Sequence, residues 1–278
     1  MVHSVISSPL GQKTAYISSY DPSLLYPIVR QESREALGLE PGAELPFYGV
    51  DIWTGYELSW LNAQGKPQVA VAEFTIPCVS PFIIESKSFK LYLNSFNQTR
   101  FNSFAEVSER LVSDLSQVAG AAVTVNLQSL RESSLLISIE EESLCLDELN
   151  IAVSVYHPDP SLLTLAANAG PATEKLSSHL LKSNCPVTGQ PDWASLFIAY
   201  QGAKIDHENL LRYIISFREH QDFHEHCVER IFVDILQRCK PSSLSVYARY
   251  TRRGGLDINP FRSTEVAVEP GVGRLLRQ

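Results

Sequence analysis

Along the chain, stretches that alternate apolar and polar residues give way to stretches whose apolar residues step by three and four. Val50, Ile52 and Trp53 open a β-like run through Trp60. Gly65-Lys66-Pro67 marks a turn, and residues 68–76 alternate as a strand does, with Val69 and Val71 on one face. The two segments predict an antiparallel pair. Ser103 and Glu106 then form a capping box ahead of Phe104, Val107, Leu111, Leu115 and Val118, which share one face of a helix. Shorter β runs are predicted at 122–127, 135–139 and 151–156. Residues 1–45, rich in Pro, Ser and Gly, read as an irregular lead-in with a short helix near 33–37.

Residues 158–171 have turn signals at both ends and small residues inside, which marks a linker. Beyond it, residues 193–201 are aromatic and β-branched enough for a strand. Asp206 caps a helix carrying Leu210, Tyr213, Ile214 and Phe217, and a second helix starts near Asp222 with Val228, Ile231, Phe232 and Ile235. Leu244, Val246, Ala248 and Tyr250 close the pattern as a strand. Both halves therefore read strand, strand, helix, helix, strand. This predicts an α+β protein with antiparallel sheets and helices on one face. The expected boundaries are a lead-in at 1–45, a first module at 46–160 and a second at 171–278.

Composition narrows the function. The 278 residues are 44% hydrophobic and 19% charged, enough apolar content for each half to bury a core. Against 31 acidic residues stand 23 Lys and Arg, for a net charge of −8. Gripping a phosphate backbone needs a basic surface, and the chain has only short pairs such as Arg252-Arg253, so a small molecule is expected rather than nucleic acid. No apolar run reaches the ~18 residues of a membrane helix. Met1 to Gln12 lacks the pattern of a signal peptide. Five scattered cysteines without a CxxC pair argue against a disulfide framework, so the cytoplasm is the expected compartment.

Four clusters carry candidate chemistry. Cys185 lies in Asn184-Cys185-Pro186-Val187-Thr188-Gly189-Gln190-Pro191-Asp192, a proline-stiffened loop with a carboxylate seven residues on. A thiol attacks as its thiolate, which needs a base or a dipole nearby; equally, an intracellular Cys is commonly a small buried hydrophobe. Phe223-His224-Glu225-His226-Cys227 starts a predicted helix, with His224 on the stripe of Val228. A core histidine fits that position as well as a catalyst does, and His224 and His226, two apart, face different ways on a helix, unlike zinc spacings. Glu85-Ser86-Lys87-Ser88-Phe89-Lys90-Leu91-Tyr92 places two lysines on one helical face, which a solvated amphipathic helix also explains. Arg252-Arg253-Gly254-Gly255 suits a phosphate or a plain surface turn. No GxGxxG follows a strand, so no Rossmann site is expected.

Together these clusters resemble the long, two-module NADPH-dependent 7-cyano-7-deazaguanine reductases. The family signature E-S/L-K-S/A-x-K-L/Y-Y/F/W is matched at every place by Glu85 through Tyr92. The segment from Asn184 to Asp192 resembles the family's catalytic loop, and Phe223-His224-Glu225 its substrate-binding segment. The resemblance implies two tandem tunnelling-fold modules, a fold shared with GTP cyclohydrolase I, with the active site assembled across modules in a homodimer. It implies reduction of the nitrile of 7-cyano-7-deazaguanine to the aminomethyl group in tRNA queuosine biosynthesis. The reaction takes four electrons from two NADPH. Cys185 would be the nucleophile, Asp192 its acid–base partner, and His224 would orient the nitrile. Ile84, Glu85, Ser86, His224 and Glu225 would bind substrate, Ser86, Lys87, Arg253 and Gly254 would bind NADPH, and no metal would be held. A zinc-dependent pterin-type cyclohydrolase on the same fold, with Cys185 and His224 as ligands, is the alternative.

Overall fold

A computed structural model of the chain describes residues 16–130, 143–266, 268, 270 and 273–278. The chain divides into two compact units. In its described part the first comprises 16–41, 50–130 and 252–258, and the second 42–49, 143–251 and the described residues from 259 on.

In the first unit, β1 (Pro27–Val29) leads into α1 (Gln31–Glu35), and the long strand β2 (Tyr48–Leu61) pairs antiparallel with β3 (Pro67–Pro77), as expected. β4 (Phe82–Ile84) pairs with β1, α2 (Ser86–Ser95) and α3 (Phe104–Ala119) follow, and β5 (Thr124–Ser129) pairs with β3. The lead-in thus contributes a strand that its composition concealed, and the short helix sits at Gln31–Glu35 rather than 33–37. Strand β3 faces the core with Ala70, Ala72, Phe74 and Ile76, while Val69 points to solvent. Val71, on the same face as Val69, is nevertheless buried, and two small alanines let the aromatic core close against the other face. That core gathers Trp53, Trp60, Phe74, Phe89, Tyr92, Phe96, Val107, Leu111 and Leu115. Each large side chain removed from water there contributes roughly 1.5–3 kcal/mol. Helix α3 starts as predicted: Ser103 Oγ accepts from the Glu106 N–H, while the Glu106 carboxylate takes the Asn102 N–H at 2.7 Å.

The second unit opens with β6 (Leu144–Cys145), which runs parallel to the 14-residue β7 (Pro171–Asn184). β7 pairs antiparallel with β8 (Pro191–Ala203), β8 with β9 (Ser243–Tyr250), and β9 with β10 (Leu256–Ser263), whose first three residues count with the first unit. Helices α4 (His207–Ser216) and α5 (His224–Cys239) lie between β8 and β9 in the chain. Asp206 caps α4 through the Asn209 N–H, and every apolar residue predicted for the two helices is buried. No strand forms at 151–156, and the one expected at 135–139 lies outside the described residues. Residues 158–171 do not behave as a free linker. Ala166 N–H donates to Lys204 O, Asp206 N–H donates to Thr164 O, and Leu163 is buried.

The repeat is more detailed than the order of elements. β2 breaks register between Gly55 and Leu58, and β7 at the same place between Ser178 and Leu181. Tyr92 of α2 donates to Asp114 of α3 at 2.7 Å, and Tyr213 of α4 to Asp234 of α5 at 2.6 Å. The last residue of each long strand forms a parallel bridge just before the second helix of its unit, Leu61 with Arg100 and Asn184 with Gln221. Among the described residues no helix is long and apolar enough to cross a membrane.

Candidate active site

The expected site residues fall into two groups, one in each unit. In the first unit, Ile84 ends β4 opposite Pro27, and Glu85 is the N-cap of α2. The fully buried Glu85 carboxylate accepts from Lys87 N–H at 2.6 Å and Ser88 N–H at 2.7 Å, and Ser88 Oγ donates back to Glu85 O. Burial pushes the carboxyl above its ordinary range, opposed by these two N–H groups and by the charges of Lys90 and Lys87. Each carboxylate oxygen retains a lone pair beyond the one the cap uses. Ser86 and Lys87 form the half-buried first turn of α2.

The Arg252–Gly255 turn lies beside that helix. Gly254 and Gly255 adopt left-handed backbone at φ 58° and 75°, and Arg253 and Leu256 exchange backbone hydrogen bonds across them. A Cβ on Gly254 would stand 3.2 Å from the Lys90 side chain, and one on Gly255 would strike the Glu57 carboxylate at 2.5 Å. Arg252 covers the Tyr56 ring at 4.6 Å. The structure therefore brings Gly254 against the signature helix through Lys90. It gives Arg252, whose partner is an aromatic face, a different setting from Arg253.

In the second unit, Cys185 directly follows β7 and Asp192 is the second residue of β8. Cys185 N–H donates to Gln190 O at 2.9 Å, and Asp192 is registered with Ser183. Ser183 and Asp192 face each other across the strands and so share a side of the sheet, Cys185 stands one residue beyond β7, and all three are buried. His224, the first residue of α5, reaches Asp192 Oδ2 with Nε2 at 3.4 Å and leaves Nδ1 buried without a hydrogen-bond partner. Glu225 is buried in the same turn.

Several neighbours were not singled out by sequence reasoning. Tyr250 lies flat under the His224 ring, 3.8 Å between centroids and 1° between planes. Burial, and then Cys227 beside it, keep the Tyr250 phenol neutral far above its ordinary range. Burial likewise raises the Cys227 thiol, so this second cysteine is no rival nucleophile. Asp222 accepts from Phe223 N–H at 2.8 Å and contacts His226 Nδ1 at 3.1 Å and His220 Nε2 at 3.6 Å. Burial alone would raise the Asp222 carboxyl, but the two histidines outweigh it and hold the group well below the carboxylate range. The four-residue step from Asp222 to His226 was visible and foretells this contact. The stacking of Tyr250 had no sequence signal, because β9 and α5 meet only in the fold. His224 and His226 turn to different carboxylates, as their spacing required.

Residues 16–127 match the family model described as nitrile reductase, 7-cyano-7-deazaguanine-reductase N-term, and residues 191–269 match one described as QueF-like protein. Over 271 residues the chain is 58% identical to the NADPH-dependent 7-cyano-7-deazaguanine reductases of Paraburkholderia phytofirmans and Burkholderia vietnamiensis. It is 57% identical to that of Paraburkholderia xenovorans, and all three matches cover 98% of this chain and 98% of the relative. Fold and family models together define an oxidoreductase of the nitrile-reductase class, built from two tandem tunnelling-fold modules. The chain belongs to the family of NADPH-dependent 7-cyano-7-deazaguanine reductases.

Proposed function

We propose that the chain reduces the nitrile of 7-cyano-7-deazaguanine to the aminomethyl group, with two NADPH, in queuosine biosynthesis. The observation that carries the mechanism is the burial of Cys185 and Asp192 at the two ends of the loop that joins β7 to β8, with His224 set against Asp192. Asp192 takes the thiol proton, Cys185 Sγ adds to the electrophilic nitrile carbon, and the proton passes to nitrogen. The product is a C=N thioimidate, which accepts a hydride where the parent triple bond does not. NADPH supplies a hydride to each of the two reductions. After the first, the thiolate of Cys185 leaves and an imine remains for the second.

His224, held flat on Tyr250, orients the nitrile. Glu85 and Glu225 accept from the guanine-like N–H groups, and Ile84 and Ser86 add backbone contacts. A purine analogue lacking those donors would strand buried carboxylates and be rejected. For NADPH the residues present fit: Ser86 and Lys87 at the start of α2, and Arg253 with Gly254, whose bare backbone admits close approach. The acidic net charge favours a small-molecule partner over nucleic acid, and the chain works as a cytoplasmic homodimer. The relatives' names do not favour the zinc cyclohydrolase alternative.

The direct test is NADPH oxidation with 7-cyano-7-deazaguanine, at two cofactors per amine formed. Incubation with the nitrile alone should add its mass to Cys185. Turnover without that adduct in the wild type, and unchanged in Cys185→Ala, would remove the covalent mechanism.

A further inference from the structure

On the second unit, away from the loop of Cys185, one possible metal-ligating atom from each of Cys145, Asp147 and His179 lies within 4.8 Å of the other two. They come from two chain segments far apart in sequence. Cys145 is placed by its pairing with Ser177 in β7, Leu146 N–H donates to Ser177 O at 2.8 Å, and Asp147 follows at once. His179 stands at the β7 register break, where the strand turns its side chains. Neighbouring groups fix two of the donors. His179 Nδ1 meets Ser195 Oγ at 2.8 Å, so the ring is held in place. The Asp147 carboxylate accepts from Ser178 Oγ at 2.6 Å and from His179 N–H at 2.9 Å. Held donors of this kind are what a metal centre's outer contacts provide.

We propose that Cys145, Asp147 and His179 bind a divalent ion of the zinc class, with water in the fourth position. Thiolate, imidazole and carboxylate are the three donor types zinc accepts. Around a tetrahedral ion with bonds of ~2.0–2.3 Å, donor atoms stand roughly 3.3–3.8 Å apart, a small contraction from the distances present. On binding, the Cys145 thiol releases its proton to solvent. The thiolate and the Asp147 carboxylate then balance the two positive charges of the ion. One group opposes the cation: Arg277, which donates to His179 O at 2.9 Å and Ala194 O at 2.8 Å and lies within electrostatic reach of Asp147. The site is separate from the reaction, since His179 and Cys185 are six strand residues apart, about 20 Å along an extended chain. The sequence reading expected no metal from the spacing of His224 and His226 and from the family resemblance, and it did not consider Cys145, Asp147 and His179 together.

The test uses the full chain, stripped with a chelator, dialysed and titrated with cobalt(II). A thiolate-to-cobalt charge-transfer band and tetrahedral d–d bands should rise to one equivalent and bleach with zinc. Cys145→Ser should lose the charge-transfer band, and Cys185→Ala should keep it. Ser195→Ala, which leaves the ligands in place, should weaken cobalt binding by about 10–100-fold. Circular dichroism checks that each variant is folded, and His179→Ala replaces Cys145→Ser if the latter is not. No charge-transfer band in the wild type, a band that survives Cys145→Ser, or one that vanishes in Cys185→Ala would each overturn the assignment.

Discussion

The β2–β3 hairpin of the first unit and the β7–β8 hairpin of the second share a bulge, a length of the first strand and a bridging residue at its end, yet in only one is that strand followed by a cysteine. After Leu61 comes Asn62, whose side-chain oxygen accepts from Gln64 and Lys66 N–H and is spent on closing its own turn. After Asn184 comes Cys185, whose backbone closes the turn and whose thiol takes no part in it. The helices show the reverse. Glu85 caps α2 with both oxygens and is followed by Lys87, while Asp206 caps α4 through Asn209 and is followed by His207 and Glu208. A duplicated scaffold has kept the turn and cap geometry in both copies. The buried thiol that follows the first strand sits in one unit and the basic helix start in the other.

The comparison can be broken most severely at the sulfur. Cys185→Ala should abolish NADPH oxidation and the mass adduct while leaving the melting temperature near that of the wild type. Asp192→Asn should slow turnover by about 10²–10⁴-fold with substrate binding retained, read as a fall in kcat at little-changed KM. Full activity in that variant would remove the proton role. Glu225→Gln should raise KM for the nitrile about 10–100-fold, the loss of a charged hydrogen bond worth roughly 1.5–3 kcal/mol.

A fourth prediction concerns pH. The Asp222 carboxyl is depressed in the fold, so its contribution is present above the unfolded value of about 3.9 and is lost as pH falls below it. The stability gap between wild type and Asp222→Asn in urea unfolding should therefore be widest near neutrality and narrow below about pH 4. A constant gap would show that the fold does not lower this carboxyl, and a gap that widens as pH falls would show that burial outweighs the histidines. The smallest effect tests the helix caps. Asp206→Ala should cost ~1 kcal/mol of stability with kinetics unchanged, whereas Glu85→Ala should cost a similar amount and weaken substrate binding as well.

Helices were the most legible part of the chain, because Leu111 and Leu115, or Ile231 and Ile235, repeat a period that only a helix explains. Strand β7 was not. Its run Glu174-Lys175-Leu176-Ser177-Ser178-His179 is polar enough to pass for a loop, and its bulge shifts the alternation midway. Residues 151–156 failed in the opposite way, alternating well but finding no partner strand. Of the candidate site, Cys185, Asp192 and the Glu85 signature were readable as short motifs. Tyr250, His220 and the Cys145–Asp147–His179 cluster depend on which strands and helices become neighbours, which a single chain's spacing does not disclose.

Asn184 has a mechanical consequence. Its N–H donates to His220 O at 2.8 Å and its carbonyl accepts from Asp222 N–H at 3.2 Å, so the residue before the sulfur is stitched to the segment that runs directly into His224 and Glu225. Loop and helix start are thus tied by two backbone hydrogen bonds. Under the roles proposed for Glu225 and Cys185, seating the carboxylate on the edge of a purine would pull on the backbone that carries the sulfur, tying recognition of the ring to the aim of the attack.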